Sequence, residues 1–249
     1  MKSIDTIVIA VGGQGKRITS DLNKRGIKTS KIFLKLNSKP LLSHLIDTSL
    51  ALNFQRVFLL SSYHERELRT FLKNNYPTTI QILPIYGGKS GRKWGVPWLL
   101  YSIRQKIGKH FVYSDGNILY NKNILKKIKN AGVLNPAIAN IVLSRKDLAP
   151  THSRIVIHRG QIYSINTRFP YNENKGVDLK GQQYHSLGLM ALSESIFSSI
   201  PNFAQKKDLD FVIRDIFYSE KNLIGTTIYN GSWFAIHSIR DVDKLGIKS

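Results

Sequence analysis

The chain has 249 residues, enough for one large domain or two small ones with a sizeable buried core. Its 42% hydrophobic content argues against disorder, and the lack of cysteine excludes disulfides, thiolate metal sites and a cysteine nucleophile. Thirty-seven Lys and Arg against 16 Asp and Glu give a net charge of +21, which favours polyanionic partners: nucleotides, nucleic acid or an acidic membrane surface.

Thr6 to Val11 is an apolar, β-branched run of buried-strand length, broken by Gly12, Gly13 and Gly15 with Lys16 and Arg17 directly behind. Glycines let backbone N–H groups converge on one point and let a bulky anion come close. This predicts a polyphosphate site, although neither familiar phosphate loop fits. Ala10 occupies the first glycine position of a Walker loop and Arg17 its hydroxyl position, while Ile18 replaces the third glycine of the dinucleotide fingerprint.

Thr19 to Ser30 is polar, contains Gly26 and reads as a mobile connection. A short strand is expected within Lys31–Lys39, turning at Asn37-Ser38, and Pro40 suits the first turn of an amphipathic helix over Leu41–Phe54. Arg56–Ser62 reads as a strand, His64–Asn74 as a helix and Thr79–Ile85 as a strand. A second glycine-rich basic loop follows at Tyr86–Gly95, and a helix near Pro97. His110–Ser114 is a buried strand running into Asp115-Gly116-Asn117.

This alternation predicts an α/β fold: a mixed, mainly parallel central sheet with helices on both faces. Ligands of such sheets sit at the carboxyl ends of the strands, where Gly12 and Asp115 both fall. The later half is richer in strands, at Ala137–Ser144, Arg154–His158, Gln161–Ile165, Tyr184–Ala191, Leu223–Tyr229 and Trp233–Ile236. Helices are expected at Ser193–Ser199, at Asp208–Tyr218 and from Ile239. Thr167–Gln182 has few periodic apolar residues and suits a surface or lid segment. The chain reads as one domain, with a nucleotide-binding half to about residue 135 and a smaller β-rich acceptor-binding subregion over 136–249.

Asp115 is the leading candidate for chemistry. A carboxylate at the end of a buried strand, followed by glycine, suits Mg²⁺, which binds through one or two carboxylates plus phosphate oxygens. With the cationic glycine loop it makes a site for a metal-bound nucleoside triphosphate. Lys122, Lys126, Lys127 and Lys129 form the densest basic cluster, which a solvated helix face explains as well as nucleic-acid binding does.

Gly12-Gly-Gln-Gly-Lys-Arg17, Lys31, Lys39-Pro40, Ser114-Asp115-Gly-Asn117 and Gly231 to Asp241 occur in the order seen in the sugar-phosphate nucleotidylyltransferases, and the chain resembles that family over nearly its whole length. The resemblance implies a nucleotide-binding α/β sandwich. It implies transfer of NMP from an NTP to a sugar 1-phosphate, with release of pyrophosphate. It assigns the backbone of Gly12, Gly13 and Gly15 to the triphosphate, Arg17 to the departing pyrophosphate, Lys31 to the α-phosphate and Asp115 to Mg²⁺. The base falls near Gln81, Trp94 and Gly95. The strand with Gly188 lines the sugar site, and Arg168 takes the place of the acceptor-phosphate lysine, with Lys175 as fallback.

The sequence departs from the family at Ser30, for the proline of a Pro-Lys pair, at Lys16, and at Ala235, where a second metal-binding acid is common. His237, Asp241 and Asp210 are candidate stand-ins for that acid, and Asn117 offers an uncharged amide oxygen. Two other readings remain. One is a CTP-dependent transfer to a small phosphorylated alcohol such as phosphocholine, with Trp94, Trp98, Tyr101 and Trp233 available for an aromatic box. The other is a catalytically impaired module that binds nucleotides or polyanions. No apolar run reaches membrane-spanning length and no secretory h-region opens the chain, so a cytoplasmic location is expected. Self-association into a homo-oligomer is compatible with the sequence.

Overall fold

A computed structural model describes residues 4–12, 16–26, 29–79, 81–87, 95–132, 137–145, 153–167, 181–200, 208–220 and 223–244. In chain order the elements are β1 (Thr6–Gly12), α1 (Lys16–Lys24), β2 (Lys35–Leu36), β3 (Lys39–Pro40), α2 (Leu41–Ala51), β4 (Arg56–Ser61), α3 (Glu65–Asn75) and β5 (Ile82–Tyr86). Next come α4 (Val96–Ser102), β6 (His110–Asp115), β7 (Ile118–Tyr120), α5 (Lys122–Ala131), β8 (Ala139–Ser144), β9 (Arg154–His158) and β10 (Gln161–Asn166). The last are β11 (Gln182–Ser193), α6 (Ile196–Ser199), α7 (Leu209–Ser219), β12 (Ile224–Ile228), β13 (Trp233–Ala235) and α8 (Ile239–Lys244). The fold is α/β, with a mixed, mainly parallel central sheet and helices on both faces.

Two compact units interleave along the chain. The first holds residues 5–94, 114–126 and 232–249, and the second holds 1–4, 95–113 and 127–231. In the first, β1 pairs parallel with β4 and β4 with β5. Ile7, Val8 and Ile9 are successive and all fully buried, so both faces of β1 are covered, as a parallel strand between helix layers requires. In the second unit, β11 pairs antiparallel with β8 and β9, β9 pairs antiparallel with β10, and β12 adds parallel to β8. The buried face of α5 is Ile124, Leu125 and Ile128, while Lys122, Lys126 and Lys127 are exposed as a solvated face predicts; Lys129 is buried.

Three local expectations change. Residues 16–24 form α1 where a mobile connection was expected from Thr19 onward, because Ile18 and Leu22, one turn apart, are both buried. The strand expected after Lys31 is instead a 3-10 turn over Lys31–Phe33 and the two short strands β2 and β3. The expected turn at Asn37-Ser38 joins them, with φ of 51° and 66° as a tight hairpin turn requires. Strand β5 begins at Ile82 rather than Thr79, which leaves Gln81 outside it. The proposed lid over residues 168–180 lies outside the described residues. Among the described residues, no helix is long and apolar enough to cross a membrane.

Candidate active site

In the first unit, the turn after β6 meets the carboxyl end of β1. That strand ends at Gly12, and its register with β4 shifts between Ala10 and Gly12. The Gly116 N–H donates to the Ala10 carbonyl at 2.9 Å, so the turn after β6 is fastened to the last residues of β1. A Cβ on Gly116 would meet the Ala10 oxygen at 2.6 Å and the Val11 Cα at 3.2 Å, an approach that only glycine permits. Asp115, half-buried, is thereby held near the last residues of β1.

Support for Asp115 continues behind it. The Tyr120 hydroxyl donates to Ser114 Oγ at 3.0 Å, and Ser114 Oγ donates to the Asp115 carbonyl at 3.1 Å. Burial pushes the Tyr120 phenol up to about 12, and the neighbouring Asp115 charge adds to that shift, so it stays a donor at neutral pH. Strand β7 pairs with β13, setting Ala235 opposite Ile118 and Trp233 opposite Tyr120. Asn117 exchanges hydrogen bonds with Ile236: its amide nitrogen donates to the Ile236 carbonyl at 3.2 Å and its carbonyl accepts from the Ile236 N–H at 2.9 Å. Nothing in the letters of the sequence announces the β7–β13 pair or the Tyr120 support, because both need a register between segments far apart in the chain.

A small core ties the motif segments together. Ile18 and Leu22 of α1, Leu34, Leu41, Ile236 and Val242 pack as one buried cluster. Ile18 follows Arg17, Leu34 lies three residues after Lys31, and Ile236 follows Ala235, so one apolar contact set anchors α1, the 3-10 turn and the C-terminal segment. Arg17 lies in the first turn of α1, which carries no acid, and Lys31 opens the 3-10 turn. Helix starts without acids favour anions through their unsatisfied N–H groups. Lys39 is paired with Asp47, whose other oxygen accepts from the Tyr76 hydroxyl at 2.7 Å.

One expected site residue lies away from the end of β1, and two belong to the second unit. The Gln81 carbonyl accepts from the Val57 N–H at 2.8 Å, which puts Gln81 at the amino end of β5. Gly12 ends a parallel strand of the same sheet, so Gln81 lies at the opposite edge and is not brought to the glycine loop. Gly95 caps the start of α4 in the second unit. Gly188, also there, has φ of +64° at a register shift of β11 against β8, and its N–H donates to Ser186 Oγ at 3.2 Å. Gly13, Gly15, Trp94, Arg168 and Lys175 lie outside the described residues.

The stand-ins for the second metal acid are committed to other work. One Asp241 oxygen accepts from the His237 N–H at 3.0 Å, the Ser238 N–H at 2.8 Å and Ser238 Oγ at 3.0 Å, closing a capping box on α8. Burial raises its pKa, but these bonds outweigh that and hold the carboxyl below the usual range. Asp210 belongs to the second unit, accepts from Ser153 Oγ, and is pushed up by burial. Among the described residues, no three histidines or acids cluster as a metal cage. The donor set suits a hard cation held by the single carboxylate of Asp115 with ligand phosphate oxygens completing the shell.

The aromatic box fares poorly. Trp98 stacks on Tyr101 at 5.5 Å between centroids, Arg104 already covers the Tyr101 ring at 4.0 Å, and Trp233 is 5% exposed in β13. Of the candidate box residues that are described, Tyr101 is thus already covered and Trp233 is buried.

No protein-family profile matches the chain, and no curated protein sequence does. Solved structures do match in fold. The inositol-1-phosphate CTP transferase from T. maritima superposes with a TM-score of 0.75 at 16% identity, over 98% of this chain and 95% of that one. A Bacillus anthracis protein assigned as a glucose-1-phosphate thymidylyltransferase, solved with sucrose, gives 0.74 at 15% identity, over 96% and 93%. The fold is the one seen in these sugar-phosphate nucleotidyltransferases.

Proposed function

We propose that this chain is a nucleotidyltransferase that moves NMP from an NTP to a sugar 1-phosphate, releasing pyrophosphate and forming an NDP-sugar for a surface polysaccharide or glycoconjugate. The observation that supports the reading is the Gly116–Ala10 contact, which fastens the turn bearing Asp115 to the last residues of β1. Both structural relatives are named for transfer of a nucleotide to a phosphorylated polyol, one from CTP and one as a thymidylyltransferase, and the sequence motifs lie in the order of that family.

The chemical obstacle is the approach of one phosphate anion to another, so catalysis here rests on neutralising charge and aligning the groups rather than on acid–base transfer. In this reading the N–H groups of Gly12, Gly13 and Gly15 cradle the triphosphate. Arg17 stabilises the pyrophosphate as it leaves, and Lys31 binds the α-phosphate. Asp115 holds Mg²⁺, which when bound screens phosphate charge and polarises a phosphoryl oxygen. Ser114, Tyr120 and Asn117 keep the Asp115 turn in place. The acceptor is assigned to the strand around Gly188 and to Arg168. The charge of +21 suits two polyanionic substrates, and a cytoplasmic location, where NTPs are available, completes the reading.

The test is pyrophosphate release from a panel of NTPs and sugar 1-phosphates with Mg²⁺. Turnover with one or a few pairs is expected. An absence of turnover with every pair, from folded protein that binds NTP, would leave a binding module instead.

A further inference from the structure

A groove of about 480 Å³ runs beside α3 in the first unit, inside the size range of small-molecule sites and open to solvent along one side. Helix α3 forms one wall through residues that recur every four positions. Arg66, Thr70 and Asn74 make one column on its surface, and Glu67, Phe71 and Asn75 make the column beside it. Facing them are Phe33 of the 3-10 turn, Lys35 of β2 and Pro40 of β3.

The base of the groove is aromatic. The Phe33 and Phe71 rings lie 5.3 Å apart between centroids, and Tyr76 continues the row 5.8 Å beyond Phe71. Phe71 is buried and Phe33 half-buried. The rim is polar and carries two exposed cations, Lys35 and Arg66. The acid in the lining, Glu67, is turned to His64 at 3.4 Å, and the nearby Glu65 is held by Arg69 at 2.8 Å. Asn75 donates its amide nitrogen to the Phe71 carbonyl at 2.8 Å, which keeps its carbonyl oxygen as an acceptor.

An aromatic base, amides and a hydroxyl along one wall and a positive rim suit a ligand with an apolar face, several hydroxyls and a negative charge. A pyranose ring has such a face in its C–H groups, which pack on the negative face of an aromatic ring. Its hydroxyls bond to amides and hydroxyls at the ring edge. Arginine meets carboxylate or phosphate oxygens in pairs, and lysine adds a point charge. From Arg66 to Asn75 the helix advances about 14 Å, longer than a single ring. Helix α3 runs from the carboxyl end of β4 to the amino end of β5, so Asn74 and Asn75 lie toward the sheet edge opposite Gly12.

We propose that this groove binds an anionic saccharide of two or more rings. Ring faces lie over Phe33 and Phe71, hydroxyls meet Thr70, Asn74 and Asn75, and the carboxylate or phosphate sits at Lys35 and Arg66. The groove shares no residue with the proposed triphosphate site, and the inference does not depend on the transfer reaction.

The test titrates the full chain calorimetrically with digalacturonate, trehalose 6-phosphate and neutral trehalose. At least one acidic disaccharide should bind, and the tighter of the two tells a carboxylate ligand from a phosphorylated one. Trehalose should bind about tenfold more weakly or worse. Lys35→Gln and Arg66→Gln should each weaken the acidic ligand by about fivefold or more, with the melting midpoint unchanged. Lys122→Gln, which removes the same charge from α5, should leave binding as it is. Phe33→Leu keeps the base apolar but removes a ring, and should weaken binding by about threefold. Added NTP should not displace the sugar. Failure of both acidic disaccharides to bind, equal binding of trehalose, or an affinity unmoved by the two charge variants or by Phe33→Leu would overturn the proposal. So would an equal loss in Lys122→Gln, which marks attraction to overall charge, or displacement by NTP, which puts the sugar in the nucleotide site.

Discussion

The two units place their polar groups by different means. In the first, the turn after Asp115 is held by contacts at strand ends, with Gly116 against Ala10 and Asn117 against Ile236. In the second, Ser144, His185, Arg154 and Asn166 lie side by side within the sheet, and the pairing of strands that begin at Ala139, Arg154, Gln161 and Gln182 sets their alignment. A site at strand ends is written in short contiguous motifs. A row across strands exists only once the register is fixed, and a slip of one residue would turn each member to the other face.

The largest expected effect lies in the first unit. Asp115→Ala removes the charged oxygen donor proposed for the metal, and kcat/KM should fall about a thousandfold, corresponding to several kcal/mol of lost charge stabilisation, with little change in melting. Gly116→Ala tests the same place through sterics. Its Cβ would meet the Ala10 oxygen at 2.6 Å, so the backbone must shift, and unfolding free energy should drop by about 1–3 kcal/mol along with activity. A silent Gly116→Ala would mean that Asp115 is not positioned by this contact.

A smaller effect is expected at Asp241, a residue that offers a carboxylate but is occupied in capping α8. Asp241→Ala should cost about 1 kcal/mol in chemical denaturation and leave turnover nearly intact, because the lost bonds are those of a helix cap. The folded carboxyl titrates below its usual value. Its stabilisation is therefore complete above the unfolded pKa and is lost as pH falls through the folded one. The acid limb of the stability curve should be shallower in the variant. The smallest effect is expected at Arg25, which pairs with Asp243 at 2.6 Å in solvent, and Arg25→Ala should leave the melting midpoint unchanged within error.

Much of this was legible in the residues. The apolar run ending in Gly12, the strand running into Asp115 and the helix opening at Pro40 gave the alternation that defines the sheet, and the structure keeps all three. Helix α1 was hidden because only Ile18 and Leu22 mark its buried side. Gln81 precedes β5 and lies at its amino end, opposite the end of β1, a position that the direction of the parallel strand sets. The capping role of Asp241 was readable in principle from Ser238 three residues earlier, whereas the β7–β13 pair and the groove beside α3 had no local signature.

The most direct measurement is calorimetric titration of NTP into wild-type protein and Asp115→Asn, each with and without Mg²⁺. Metal should tighten NTP binding to the wild type at least tenfold, and that gain should vanish in the variant while metal-free binding is retained. Equal enhancement by Mg²⁺ in both proteins would contradict the placement of the metal-bound triphosphate at Asp115.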